Sequence, residues 1–301
     1  MNERRSSYSH SPDPLRGRSL LHPWFWSFNQ LVRFFVPPLI TFIGFLGIWF
    51  FVSYVVLEPE RRFLLPPPQD VVRVGFINLP NLAELLDALA STTMVAFAGL
   101  AVAAITGLLL AILMSQASWI ERSLYPYAVA LQTIPILALV PLVGFWFGFD
   151  FPSRVLICTL IAVFPVITNS LFGILSVDHD LHDLFTLHGV GRFTRLWKLQ
   201  LPSALPAIIT GLRISAGLSV IGAIVGDFFF REGEPGIGRL IDLYRQRLQS
   251  EQMIAAIFFS SLLGLTIFLV FGLIAKLTVG GWHETGRVRS GRYEVYHDAK
   301  R

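Results

Sequence analysis

The sequence predicts an all-α integral membrane protein with six transmembrane helices. Charged residues make up 15% of the 301-residue chain, against about 25% in an ordinary soluble domain. Leu, Ile, Val and Phe in long runs replace the missing charge. Five uncharged stretches, and a sixth carrying one arginine, are long enough to supply the ~20 apolar residues that a spanning helix needs. The net charge of +4 does not indicate nucleic acid, because the arginines form no single patch and fit membrane topology better.

The first 34 residues are polar and rich in Arg, Ser and Pro, and no short apolar stretch followed by small residues marks a cleaved signal. The aromatic cluster Trp24, Phe25, Trp26, Phe28, Leu31 and Phe35 is either an interfacial helix or an extension of the first span. Between Arg33 and Glu58 lie 24 uncharged residues. Asp87 and Glu121 enclose 33, Arg122 and Asp150 enclose 27, and Arg154 and Asp178 enclose 23. Glu251 and Lys276 enclose 24. The remaining span, at about 205–230, is interrupted by Arg213 and ends near Asp227. An arginine near one end of a span can snorkel to the headgroups.

With the N-terminus inside, the inner segments hold fifteen Lys and Arg and the outer segments eight. The favoured topology therefore has both termini cytoplasmic. The organisation expected is a cytoplasmic N-terminal tail at 1–34 that includes the interfacial segment, a six-span domain at 35–279, and a cytoplasmic C-terminal tail at 280–301. The loop at about 178–204 is then cytoplasmic. The chain is expected to cross a membrane several times.

Several chemistries are missing. The spans show no mid-span carboxylate and all seven histidines fall on segments expected to be cytoplasmic, whereas ion-coupled carriers keep ionisable groups at membrane depth. No G-x-x-x-x-G-K-[ST] loop is present, so the chain has no P-loop for ATP. There is no nucleophile–base arrangement, hence no catalytic residue and no enzyme, and no metal-ligand spacing. His179, His182 and His188 read as polar residues of a cytoplasmic surface. The single cysteine, Cys158, reads as a small buried hydrophobe.

The most informative stretch is residues 164–216. After span four, Asp178 or Asp180 can cap a short helix, with Asp183 three residues beyond Asp180 at a capping-box spacing. Leu181, Leu184, Phe185 and Leu187 give that helix an apolar side, and Gly189 and Gly191 end it. A basic-aromatic stretch at 192–200 follows, and span five starts at Leu201-Pro202 and Leu205-Pro206. An apolar helix face on a cytoplasmic loop lies against the bilayer or docks on a soluble partner.

This stretch resembles the permeases of ABC importers, which carry a loop of pattern E-A-A-x-x-x-G-(nine residues)-I-x-L-P. Gly189 and Leu201-Pro202 keep the spacing, and Leu199 fills the Ile position. Asp183, Leu184 and Phe185 stand where the family has Glu-Ala-Ala. The chain is similar to the nitrate/sulfonate/taurine branch in particular. Three runs carry that likeness: residues 135–148 in span three, 164–173 in span four and 201–213 in span five. Gly236-Ile237-Gly238-Arg239-Leu240-Ile241 adds to it, though Gly-x-Gly by itself reads as a turn.

The resemblance implies the type I importer permease fold and a subunit that performs no covalent chemistry. Its implied partners are ATP-binding cassette ATPase subunits, a second permease chain as a homodimer, an extracytoplasmic substrate-binding protein and the lipid bilayer. ATP and Mg would be bound by the partner ATPase, with no cofactor in this chain. Residues Asp183, Leu184, Phe185, Gly189, Leu199, Leu201 and Pro202 would couple to that ATPase. The solute would be nitrate-, sulfonate- or taurine-like, or a thiamine-related pyrimidine. The substrate path is expected among polar side chains at membrane depth, namely Gln132, Thr133, Asn169, Ser170, Ser215 and Ser219. The same groups can instead bond helix to helix. Arg213 either meets an anionic substrate or anchors the cytoplasmic end of its span. The alternative function is a self-sufficient secondary carrier or channel, which would need ionisable groups or broken-helix repeats at the midplane, and the sequence shows neither.

Overall fold

Inside hydrocarbon a backbone must satisfy its own hydrogen bonds, and a helix does so within a single segment. Helices are accordingly the regular structure of the described residues, 23–230 and 232–279, in this computed structural model. The tail residues 1–22 and 280–301 lie outside the described residues.

The chain divides into two units, residues 1–57 and 58–301. In the first, α1 (Pro23–Phe51) continues through a π-helical turn, Val52–Val56. One helix runs through the aromatic cluster into the span Phe35–Val56. The cluster is thus helical and continuous with span one.

The second unit begins with a 3-10 turn, Pro59–Leu64, and with α2 (Pro68–Val72), which leads into a π turn at Arg73–Ile77. Then come α3 (Leu79–Ser115), α4 (Ser118–Thr133), α5 (Ile136–Phe147) and α6 (Phe151–Leu175). The short helices α7 (His179–Leu187) and α8 (Arg192–Arg195) precede α9 (Leu201–Phe229), α10 (Ile237–Gln246) and α11 (Ser250–Val279). Among the described residues five helical segments are each long and apolar enough to cross a membrane, and the pair α4 and α5, bent by 99° at its break, makes six when taken as one span.

That break corrects the sequence reading, which found no broken helix. Pro135 has no N–H to donate and disfavours helical backbone in the residue before it. Ile134 is extended accordingly, with φ −68° and ψ 129°. Pro126 and Pro141 stay inside helices, so of these three prolines only Pro135 breaks the span.

The helix that contains span five begins before Leu201. A π turn at Leu196–Gln200 joins α8 to α9, and the helical run Arg192–Phe229 has 38 residues. At 1.5 Å per residue it is about 57 Å long, well beyond the ~30 Å hydrocarbon core. The run is therefore longer than one crossing requires.

α3, α6 and α9 form the centre, with α9 antiparallel to α6. Water offers no drive for helix association in lipid, so close approach of backbones matters more than apolar bulk. A Cβ on Gly211 would stand 2.8 Å from the Pro165 carbonyl oxygen, and one on Gly222 would stand 2.8 Å from Cys158 Cα. Cys158 is fully buried there, its thiol 3.1 Å from the Ser219 carbonyl.

Candidate coupling loop and polar path

α7 is fixed at both ends by its own backbone chemistry. The Asp178 carboxylate accepts the Asp180 N–H at 3.2 Å and caps the start. Asp183 is exposed and takes no part, so the capping box inferred from Asp180 and Asp183 is absent. At the far end Gly189 adopts φ +64°. Its N–H bonds the Thr186 carbonyl at 3.0 Å, and the Val190 N–H reaches back to Phe185 at 3.0 Å. These two bonds form a Schellman stop, which favours glycine because a side chain is strained in the left-handed region. Gly191 does not end α7; it is the N-cap of α8.

No residue of α7 is buried. Leu181, Leu184 and Leu187 are exposed, Leu187 by 85%. Phe193 and Trp197 lie beside each other at 6.0 Å and are exposed as well. Phe185 is half-buried, Leu199 is buried, Leu201 is half-buried and Pro202 is exposed. Leu196 and Leu199 thus root the loop in the bundle, and Leu181, Leu184, Leu187 and Phe193 stay uncovered.

The polar candidates do not converge on one point. Gln132 and Thr133 are exposed at the break between α4 and α5. Thr133 bonds the Ala130 carbonyl of its own helix. The break lies at mid-height of α6, because Ala128 packs in a cluster with Ile167 and Leu171 while Ile136 and Val140 pack around Ile157. Asn169 returns its amide to Pro165 at 2.8 Å, and the Ser170 hydroxyl is buried without a partner. Ser215 donates to Ala162 of α6 at 2.6 Å, a helix-to-helix bond, and Ser219 donates within α9.

Arg213 lies two residues from Ser215, and Ala162 is next to the midpoint of α6. Arg213 is therefore at mid-height, which corrects its placement near one end of the span. Its guanidinium is 4.2 Å from the centre of the Phe268 ring on α11, a cation–π contact.

Sequence reasoning missed a charged cluster at the end opposite α7. Arg154, in the first turn of α6, is 3% exposed, and Asp227, near the end of α9, is fully buried. They pair at 2.9 Å. Arg154 also reaches the Glu234 carbonyl at 3.2 Å and the Ser91 hydroxyl at 3.3 Å. The Thr92 hydroxyl donates to Asp227 at 2.5 Å and accepts the Ile237 N–H at 2.8 Å. The readable signal was a pair of opposite charges, one opening span four and one closing span five. Nearby, Tyr244 of α10 donates to Glu84 of α3 at 3.1 Å. Burial and then the Glu84 charge raise the Tyr244 phenol, which stays a donor. No group of three or more His, Cys, Asp or Glu among the described residues is arranged to hold a metal.

Residues 77–279 match the family described as binding-protein-dependent transport system inner membrane component. The formylaminopyrimidine transport permease protein ThiX of Halalkalibacterium halodurans is 34% identical over 80% of this chain and 93% of its own. The putative aliphatic sulfonates transport permease protein SsuC of Escherichia coli is 31% identical over 76% and 85%. Among solved structures, the MetNI methionine ABC transporter in inward-facing form has a chain similar at TM-score 0.54 and 17% identity. That match covers 65% of this chain and 94% of that one.

Proposed function

Because the chain belongs to the family of binding-protein-dependent transport system inner membrane components, we propose that α7 and the Gly189 turn are the surface through which a partner ATPase drives it. The chain is the membrane-spanning permease subunit of an ABC importer, a transport component and not an enzyme. Such a subunit belongs to the bacterial inner membrane and works with an ATPase and a substrate-binding protein. The observation that carries the coupling role is an apolar-faced helix between two spans with no buried residue.

The remaining steps follow from that role. Two copies of the chain enclose one path. ATP and Mg bind to the ATPase pair, whose closure draws the two α7 helices together. The continuous helical run from Arg192 into α9 then carries this motion into the span. Gln132 supports a path along the α4–α5 break, since an exposed amide at mid-height is costly against lipid and needs water, substrate or a partner chain. Asp183, Leu184, Phe185, Leu199, Leu201 and Pro202 serve the coupling loop, by contact or by rooting it. Both termini are cytoplasmic. With Arg154 buried in an ion pair, the outer loops keep seven of the eight basic residues first counted there, against fifteen inside. The relatives named for formylaminopyrimidine and aliphatic sulfonates support a small solute of the sulfonate or thiamine-pyrimidine kind.

The test is uptake into proteoliposomes that hold this chain with its ATPase and binding protein. Accumulation of one of these solutes should require ATP and the binding protein. Accumulation by the chain alone would contradict the reading.

A further inference from the structure

We propose that Arg154 is a two-position clasp at the end of the bundle opposite α7. Paired with Asp227 it locks α6 to the α9–α10 corner; swung to Asp150 it lets that corner move. The inference rests on the permease reading, because it assigns the movement to the transport cycle.

The corner is built around one carboxylate. Asp227 faces the start of α10, where the Gly238 backbone N–H and the Thr92 hydroxyl both bond it. A Cβ on Gly236 would meet the Asp227 carboxylate itself, and one on Gly238 would stand 2.9 Å from Asp227 Cβ. The two glycines are therefore needed for close approach as well as for the turn. Thr92 accepts the Ile237 N–H in addition, so α3, α9 and α10 share one hydrogen-bonded junction. A carboxylate at a helix N-terminus is favoured by the dipole, so this junction does not need Arg154 to keep Asp227 partnered.

Arg154 is the component from α6. Two of its three nitrogens are bonded, and its Nε is buried without a partner. A cavity of about 300 Å³ adjoins it, lined by Ser91, Asp150, Phe151 and Glu234 among others. Asp150 occupies the N-cap position of α6, yet its side chain makes no cap bond. Asp150 and Arg154 line that cavity together, Asp150 from the extended residue that precedes the helix. Separating a buried pair is costly when it leaves a bare charge, and a second partner removes most of that cost. Here the guanidinium has Asp150 and the cavity to turn into, and Asp227 keeps Thr92 and the α10 N-terminus. Buried ion pairs are also a weak source of stability and are better attested as devices that set register or switch state.

The experiment uses the whole transporter in nanodiscs. It compares ATP hydrolysis with and without substrate-loaded binding protein, together with uptake in liposomes. Asp150→Asn leaves the lock intact and removes the alternative partner. It should assemble normally and hydrolyse ATP at the basal rate, with stimulation by the binding protein lowered about fivefold or more. Asp227→Asn keeps the shape and removes the lock. It should raise hydrolysis in the absence of binding protein and lower the stimulation ratio. If Asp150→Asn keeps stimulation and uptake within about twofold of wild type, the clasp is a static strut and the proposal is overturned. That variant decides the matter even if Asp227→Asn fails to assemble. A wild-type complex with neither stimulation nor uptake would instead overturn the permease reading beneath it.

Discussion

Arg195 donates from its guanidinium to the hydroxyl of Thr186 across 2.9 Å, tying the last turn of α7 to the first turn of the helix that becomes span five. The bond is exposed, so it contributes only about 1 kcal/mol, a factor of about five in the population of the tied loop. Thr186→Val removes it with little change in volume. In the reconstituted transporter this variant should keep expression and ATPase association while transporting up to several-fold less solute per ATP. An unchanged ratio would show that the tie has no part in transmission.

The centre of the bundle gives a test of packing. Gly211→Val should be strongly destabilising, since the added carbon meets the backbone carbonyl of Pro165, which cannot rotate away. Overpacking of this kind costs about 1–3 kcal/mol. Gly217 has nothing within 4 Å of an added Cβ, and Gly217→Ala should leave stability unchanged or slightly higher. Cys158 reports the outcome, because the only thiol in the chain is fully buried and becomes reactive on unfolding. Thermal exposure of Cys158 should shift downward in the first variant only.

Path assignment separates by thiol accessibility. In a Cys158→Ala background, Gln132→Cys should react with a small polar reagent in the assembled transporter, and substrate should slow that reaction. Ser215→Cys should not react, since Ser215 is buried against α6. Equal reactivity at the two positions would remove the α4–α5 break from the path.

Topology is tested with single cysteines in the same background. An impermeant reagent should label Glu60→Cys and Gln246→Cys in intact cells, both positions being exposed in the chain. Leu187→Cys, on the coupling helix, should be labelled only after the membrane is opened. Labelling of position 187 from outside would invert the orientation.

These residues also show what a sequence can convey. Five spans were legible because crossing hydrocarbon demands a long uncharged run, the span around Arg213 because its neighbours are apolar, and Gly189 because a helix stop with positive φ favours glycine. The break at Pro135 was not, because Pro126 and Pro141 have the same local chemistry and only packing decides which proline bends the span. The depth of Arg213 was hidden for a related reason. The helix containing it starts nine residues earlier than its apolar portion suggests, so distance from Leu201 is a poor guide to depth. Arg154 and Asp227 are 73 residues apart and each looked like a charge at the end of a span. Their pairing depends on α6 and α9 being antiparallel neighbours, which no local pattern encodes.

The most direct test of the coupling role is the ratio of solute transported to ATP hydrolysed by a Gly189→Val transporter. A branched side chain at φ +64° is strained, so the Schellman stop should fail and redirect α7 while the spans remain intact. The expected outcome is normal insertion together with either loss of ATPase association or hydrolysis that no longer drives uptake. A variant that co-purifies with its ATPase and imports solute at the wild-type ratio would contradict the assignment of this loop.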